Sequence, residues 1–239
     1  MKFLIIIPTY NEEDNIYNLL NSIFEYIKDA DFSVLIVDDS PSEATINEIK
    51  RFNHSNVKII KRKEKSGLAS AYTEGFKYGL QNGYDALIEF DADFSHNPSY
   101  LPQMIEKLHK NDLVIGSRNV KGGKTEGWGI ARNLISKGGS IYSRLILNCP
   151  IKDLTGGFNG WRKEILNKID LDKIISKGYS FQVEMKYLAY LKNAIIDEFP
   201  ITFKDRVLGE SKMDKNIFIE ALINVIKLRI IYGKKNHIK

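Results

Sequence analysis

Cysteine is almost missing. Cys149 is the only one among 239 residues, so the chain can form no internal disulfide, and a reducing compartment is the expected setting. Long apolar runs are missing too. No stretch reaches the ~20 apolar residues that a membrane-spanning helix needs. The N-terminal Met1-Lys2-Phe3-Leu4-Ile5-Ile6-Ile7-Pro8 is short for the apolar region of a secretory signal. It runs into Pro8-Thr9-Tyr10-Asn11 without a small-residue cleavage site, so it is expected to be the first strand. The four histidines lack metal-ligand spacing. No Gly-x-Gly-x-x-Gly follows the first apolar run, which argues against a dinucleotide fold of the dehydrogenase type. There are no internal repeats and no low-complexity linker. Charge of neither sign dominates. Lys plus Arg is 35 and Asp plus Glu is 30, a net charge of +5. That excess suits an anionic substrate or an anionic membrane surface. No nucleic-acid module accompanies it, so nucleic acid is not an expected partner.

What is present is an alternation. Apolar runs at Phe3–Ile7, Val34–Val37, Val57–Ile60, Ala86–Phe90, Leu113–Ile115 and Ala194–Phe199 are short enough for buried strands. Between them lie helical patterns. Ile16, Leu19, Leu20, Ile23, Phe24 and Ile27 make one apolar stripe. Thr45–Phe52, Leu68–Asn82, Ala131–Leu147 and Phe181–Leu191 are further helices. Asn97-Pro98 has the form of a helix cap with proline in the first turn. The expected fold is α/β, a mostly parallel sheet with helices on both faces. Val120–Gly129, rich in Gly and Lys, is expected to be a mobile loop, as is the polar Asp205–Met213. Gly156-Gly157 marks a turn or a close backbone approach. Lys61-Arg62-Lys63-Glu64-Lys65 has the composition of a solvated turn. The last helix, Asn216–Tyr232, is mostly apolar, with Asn216, Glu220, Asn224 and Lys227 in one narrow stripe. Such a helix packs in a core or lies in a membrane interface, where the following Lys234-Lys235 would suit anionic head groups.

The stretch Leu87-Ile88-Glu89-Phe90-Asp91-Ala92-Asp93 holds the chemistry. It is mostly apolar up to Phe90 and closes on two carboxylates, at the strand end where open α/β sheets bind ligands. Residues i and i+2 of an extended strand project to the same side, so Asp91 and Asp93 are expected to converge on one point. Two converging carboxylates suit a hard divalent cation, Mg²⁺ or Mn²⁺, of the kind that bridges protein to a diphosphate.

Further motifs accompany it in order. They are Pro8-Thr9-Tyr10-Asn11-Glu12, Val37-Asp38-Asp39, Lys65-Ser66-Gly67-Leu68, Asp91-Ala92-Asp93-Phe94-Ser95-His96, Gly116-Ser117-Arg118, Asp153-Leu154-Thr155-Gly156-Gly157-Phe158, Gly178-Tyr179-Ser180-Phe181-Gln182-Val183-Glu184 and Asp205-Arg206-Val207-Leu208-Gly209-Glu210-Ser211-Lys212. In this pattern the chain resembles family 2 glycosyltransferases of the dolichol-phosphate (polyprenyl-phosphate) mannose synthase type. The resemblance implies a GT-A fold, a Rossmann-like sheet, over residues 1–213. A C-terminal amphipathic interfacial helix and basic tail would occupy 214–239. It assigns donor binding to Pro8, Tyr10, Glu12, Val37, Asp39, Asp91, Ala92, Asp93, Arg206 and Lys212. It assigns the metal to Asp91 and Asp93 with Ser95, which stands where many relatives have Gln. Arg118, Arg132 and Ser136 would meet the acceptor phosphate, with Asp91, Asp93, Arg118 and Arg132 as the catalytic set. Ser40-Pro41-Ser42-Glu43 departs from the Gly-Ser-Pro-Asp type of turn usual in relatives.

The implied activity is metal-dependent, inverting transfer of mannose from GDP-mannose to a polyprenyl or dolichyl monophosphate. It would take place on the cytoplasmic face of a membrane by a peripheral protein. A UDP-glucose-dependent transferase acting on the same acceptor is the near alternative. A silent nucleotide-sugar binder is the distant one. Transfer to a sugar hydroxyl would instead need a base, and Asp153 and Glu184 are the candidates.

Overall fold

The strands bury residues on both faces, so helices must cover the sheet on both sides. In a computed structural model of the chain, residues 1–205 and 215–233 are described, the side chains of residues 130–132, 179 and 215–219 excepted. The elements run β1 (Lys2–Thr9), α1 (Glu13–Tyr26), β2 (Asp31–Asp38), α2 (Ala44–Phe52), β3 (Val57–Lys61), α3 (Leu68–Gln81) and β4 (Ala86–Glu89). They continue with α4 (Leu101–Leu108), β5 (Leu113–Ser117), β6 (Lys124–Glu126), α5 (Ile130–Leu147), β7 (Asn159–Arg162) and α6 (Lys163–Leu166). The last are α7 (Tyr179–Leu191), β8 (Ile196–Pro200), β9 (Thr202–Lys204) and α8 (Lys215–Gly233).

Seven strands form the main sheet in the order β3-β2-β1-β4-β7-β5-β8. β1 pairs in parallel with β2 and β4, Ile5 lying opposite Val34 and Ile88. The residues alternate between two cores. Leu4, Ile6, Leu35, Val37, Leu87, Leu113 and Ile115 face one side, and Phe3, Ile5, Ile7, Val34, Ile36, Ile88 and Val114 the other. α3 lies close on the first face because Gly75 and Gly79 leave no side chain there. A Cβ at Gly75 would come 2.5 Å from Ile6, and one at Gly79 2.3 Å from Leu87. Asn97 caps its turn as expected, accepting from the Ser99 amide at 2.9 Å.

Two elements depart from the expectation, and a third, the last helix, packs into the core on one side. β7 is antiparallel to both β4 and β5 and is wedged between them. Its Asn-Gly-Trp-Arg carries no apolar alternation, so nothing in the sequence marked it as a strand. Val120–Gly129 is not simply a loop. Lys124–Glu126 pairs in parallel with Thr202–Lys204 as a separate two-stranded sheet. The last helix is apolar on two sides. Val225 and Leu228 are buried with α5 and α7, while Ile223, Ile226, Ile230 and Ile231 are exposed. The expected loop at Asp205–Met213 lies outside the described residues after Asp205.

Candidate active site

Every strand of the main sheet except β7 points one way, so the ends of β1, β2, β4 and β5 form one rim. Tyr10, Asp39, Asp91 and Arg118 follow those ends. Ligands bind at such a rim because the loops there are free to diverge.

At β1 and β2, Asp38 organises the rim from within. It is fully buried, and its carboxylate accepts from Thr9 Oγ1 (2.7 Å), Ser40 Oγ (2.6 Å) and Lys61 Nζ (2.8 Å). Lys61 Nζ also donates to the carbonyls of Ser40 and Ser42, fixing the turn after β2. Asp39 is held by Arg62 through Nε and Nη2, and Arg62 Nη1 donates to Ser70 Oγ on α3 at 2.8 Å. Lys61 and Arg62 are therefore anchors, not members of a solvated turn. Pairing at short range outweighs their exposure in the sequence pattern. Tyr10 is exposed on the rim, with Lys65 Nζ 3.3 Å from its ring centroid. The Glu12 amide donates to Thr45 Oγ1 (3.1 Å), starting α1. Val37 is buried within its strand and Pro8 is half-buried. Either meets a rim ligand through backbone more than side chain.

β4 stops at Glu89, and Asp91–Asp93 turn away from it, with Phe94 left-handed at φ 58°. Asp91 and Asp93 are therefore not brought together by an extended strand. Each carboxylate is oriented by its own hydrogen bonds instead. Tyr72 OH donates to Asp91 Oδ1 at 3.1 Å. Ser95 donates both its amide and its hydroxyl to Asp93 Oδ1. Ala92 is buried and anchors the turn. His96 is buried among Phe90, Phe158 and Phe203, its Nδ1 3.6 Å from Asp91 Oδ2. Burial pushes its pKa down to about 4 against the pull of Asp93, so it is neutral near pH 7. Among the described residues no three His, Cys, Asp or Glu side chains gather to hold a metal. Two carboxylates on an open rim nevertheless fit Mg²⁺ or Mn²⁺, which complete their shell with water and substrate phosphate.

At β5, Arg118 lies in a buried clamp. Its Nε and backbone amide donate to Asp153 Oδ2 (2.8 and 2.9 Å), and its Nη2 donates to Asp153 Oδ1 (2.7 Å) and Thr155 Oγ1 (2.9 Å). The Gly156 amide adds a bond to Asp153 Oδ1. Burial by itself would raise the Asp153 pKa. The guanidinium beside it more than offsets this and holds the carboxyl well below the usual range. Lys186 of α7, fully buried, donates to the carbonyls of Asp153 (2.8 Å) and Gly156 (2.7 Å). Burial pulls its pKa down to about 8, while Asp153 and Glu89 keep it from falling further. Beneath it, Glu89 accepts from Asn159 and Gln182, and burial pushes its pKa up to about 7. The quoted motifs contain Asp153 and Gln182. Their partnership with Arg118, Lys186 and Glu89 joins positions dozens of residues apart, so sequence spacing gave no signal for it. Ser136 is half-buried on α5, and Arg132 starts the same helix. Arg206 and Lys212 lie outside the described residues.

Residues 4–170 match the family model described as Glycosyl transferase family 2. The chain belongs to glycosyltransferase family 2. It is 43% identical over 229 residues to an undecaprenyl-phosphate mannosyltransferase of Micrococcus luteus, covering 95% of this chain and 93% of that one. It is 38% identical over 226 residues to a polyprenol monophosphomannose synthase of Mycolicibacterium smegmatis, covering 93% and 84%. Among solved structures, glucosyl-3-phosphoglycerate synthase from Mycobacterium tuberculosis in complex with phosphoglyceric acid superposes with a TM-score of 0.68. That match has 15% identity and covers 95% of this chain and 80% of that one. It places the sheet and its helices in the GT-A class of folds.

In this family 2 chain neither carboxylate considered as a base is available. Asp153 spends both oxygens on Arg118 and Gly156. Glu184 is buried and accepts from the amides of Ile175 (3.2 Å) and Ser176 (2.7 Å) and from Tyr232 OH (2.7 Å). It ties α7 to α8.

Proposed function

We propose that the chain transfers mannose from GDP-mannose, with inversion, to a polyprenyl or dolichyl monophosphate, giving polyprenyl-phosphate mannose. The observation that carries this reading is the commitment of Asp153 and Glu184 to structural bonds, beside an arginine fixed at the rim. A hydroxyl acceptor would need a base to take its proton. A phosphate monoester near neutral pH needs none. Its oxygen attacks the anomeric carbon, the bond from that carbon to the donor diphosphate breaks, and GDP leaves with the electron pair. The two relatives at 43% and 38% identity, named for polyprenyl-phosphate mannosyl transfer, support the same acceptor and sugar.

In this reading Pro8, Tyr10, Glu12, Val37 and Asp39 receive the nucleoside, and Arg206 and Lys212 the diphosphate. Asp91 and Asp93 would hold Mg²⁺ or Mn²⁺, with Ser95 orienting Asp93. Such an ion, when bound, would supply positive charge toward the leaving diphosphate. Arg118, Arg132 and Ser136 receive the acceptor phosphate, which must approach an anionic donor against Coulomb repulsion. Arginine suits that task because its guanidinium stays charged and carries five N–H donors. Residues 1–213 are the transferase unit. Residues 214–239 form the interfacial helix and basic tail of a protein peripheral to the cytoplasmic face of a membrane.

The test incubates the protein with a panel of nucleotide sugars, UDP-glucose included, and a short polyprenyl phosphate, and identifies the lipid product by mass. A mannosyl phosphate ester formed from GDP-mannose is expected. A glucosyl product, or none from any donor, overturns the reading.

A further inference from the structure

Two buried side chains from different parts of the fold meet the two oxygens of Asp91. Tyr72 of α3 is fully buried, its ring stacked with those of Phe76 and Phe181. Its hydroxyl donates to Asp91 Oδ1 at 3.1 Å. A phenylalanine would fill that aromatic slot with no polar atom to satisfy. His96 belongs to the turn after Asp93, which reverses at the left-handed Phe94. Its ring packs on Phe90, Phe158 and Phe203 and is 1% exposed. Its Nδ1 has no hydrogen-bond partner among the described residues. That nitrogen lies 3.6 Å from Asp91 Oδ2, roughly half an ångström beyond ordinary hydrogen-bond range. A buried polar atom with no partner calls for a reason. Gly157 keeps the corner open. A Cβ there would stand 3.6 Å from Asp91 Oδ2 and 3.8 Å from His96 Cε1. Core packing accounts for the two rings, but not for their polar atoms both reaching one carboxylate that is itself partly exposed on the rim.

We propose that Tyr72 and His96 are positioning residues for the divalent ion, acting through Asp91, one at each oxygen, to hold its carboxylate in the coordinating orientation. This grip rests on the proposed metal ligands Asp91 and Asp93 and extends the site to two residues behind them. A carboxylate on an open rim turns about its last torsion, and ordering it opposes binding. Two donors set in a dry aromatic wall order it beforehand. With its proton on Nδ1, the imidazole donates to Oδ2 as the tyrosine does to Oδ1. Each oxygen keeps a second lone pair for a cation at the rim. Ser95 serves Asp93 in the same way from within the turn. Tyr72 instead ties Asp91 to α3, and so to the core. Donors of this kind behind a metal ligand are worth about ten- to a hundredfold in metal affinity.

The experiment titrates Mn²⁺ into the full chain, with and without GDP, and reads the free ion by electron paramagnetic resonance. Tyr72→Phe and His96→Phe each remove one donor and keep an aromatic ring in the slot. His96→Asn keeps an N–H near the place of Nδ1. Melting temperature and circular dichroism are recorded on the same samples. Tyr72→Phe and His96→Phe should each weaken Mn²⁺ binding by about ten- to a hundredfold and melt within a few degrees of the wild type. His96→Asn should recover part of the loss. If either phenylalanine variant binds Mn²⁺ as tightly as the wild type, the two-sided grip is wrong. It is equally wrong if His96→Asn binds no better than His96→Phe, or if Mn²⁺ is lost only from variants that have lost their fold. A wild type that binds no Mn²⁺ in either condition overturns the metal ligands themselves, and the grip with them. Mn²⁺ binding that responds as expected, in a chain that transfers no mannose, would overturn the proposed function and leave the grip standing.

Discussion

Arg118 is bound by Asp153 through both its side chain and its backbone amide, in a clamp from which solvent is nearly excluded. The arginine proposed for the acceptor is therefore also a structural ion. Arg118→Ala would leave a buried carboxylate unpaired, and it should cost about 3–5 kcal/mol of stability as well as transfer. Arg118→Lys separates the two roles. It should stay folded and bind donor as the wild type does, while transfer falls by about tenfold, because an ammonium bound to Asp153 offers a phosphate fewer donors than a guanidinium does. Urea unfolding, donor titration and transfer rate on the same samples decide this. Loss of donor binding in step with activity would remove Arg118 from the acceptor side.

The same clamp sets an acid limb. Asp153 is held below its ordinary 3.8 in the folded chain, so its contribution is complete above that pH and lost as pH falls through the folded value. Asp153→Asn should be less stable than the wild type at pH 7, and the gap should begin to narrow as pH falls below about 3.8. Denaturant midpoints measured across pH 2.5–7 for both proteins, on the order of ten points each, test it. A gap that does not change with pH would mean that the carboxylate's charge does not stabilise the fold.

Arg132→Ala should lower transfer by about ten- to a hundredfold, the worth of one charge-assisted contact, and leave donor affinity unchanged. Wild-type transfer by this variant would remove Arg132 from the proposed acceptor site.

Chelation should abolish transfer and added Mg²⁺ or Mn²⁺ restore it. Asp93→Asn should be inactive yet keep its melting temperature to within a few degrees, since Asp93 lies in a rim turn and not in the core. Full turnover in excess chelator would refute the metal assignment.

Tyr232→Phe removes the hydroxyl that α8 donates to the buried Glu184. It should lower stability by about 1–3 kcal/mol without changing donor affinity. Unchanged stability would show that α8 is not fastened to α7 at this point.

The sequence by itself determined the parallel strands, the helices between them and the rim. Those rest on local periods of 2 and 3.6 residues, which survive in any fold that buries them. It placed Tyr10, Asp39, Asp91 and Arg118 beyond strand ends for the same reason. The tertiary structure alone decided β7, whose Asn159–Arg162 is a strand only because β4 and β5 leave a gap that it fills. It made anchors of Lys61 and Arg62, since whether a cation is solvated or paired depends on what folds beside it. It also closed Asp153 and Glu184 to base chemistry. A carboxylate's role follows from its donors, and Arg118, Gly156 and Tyr232 reach these two only across the assembled core.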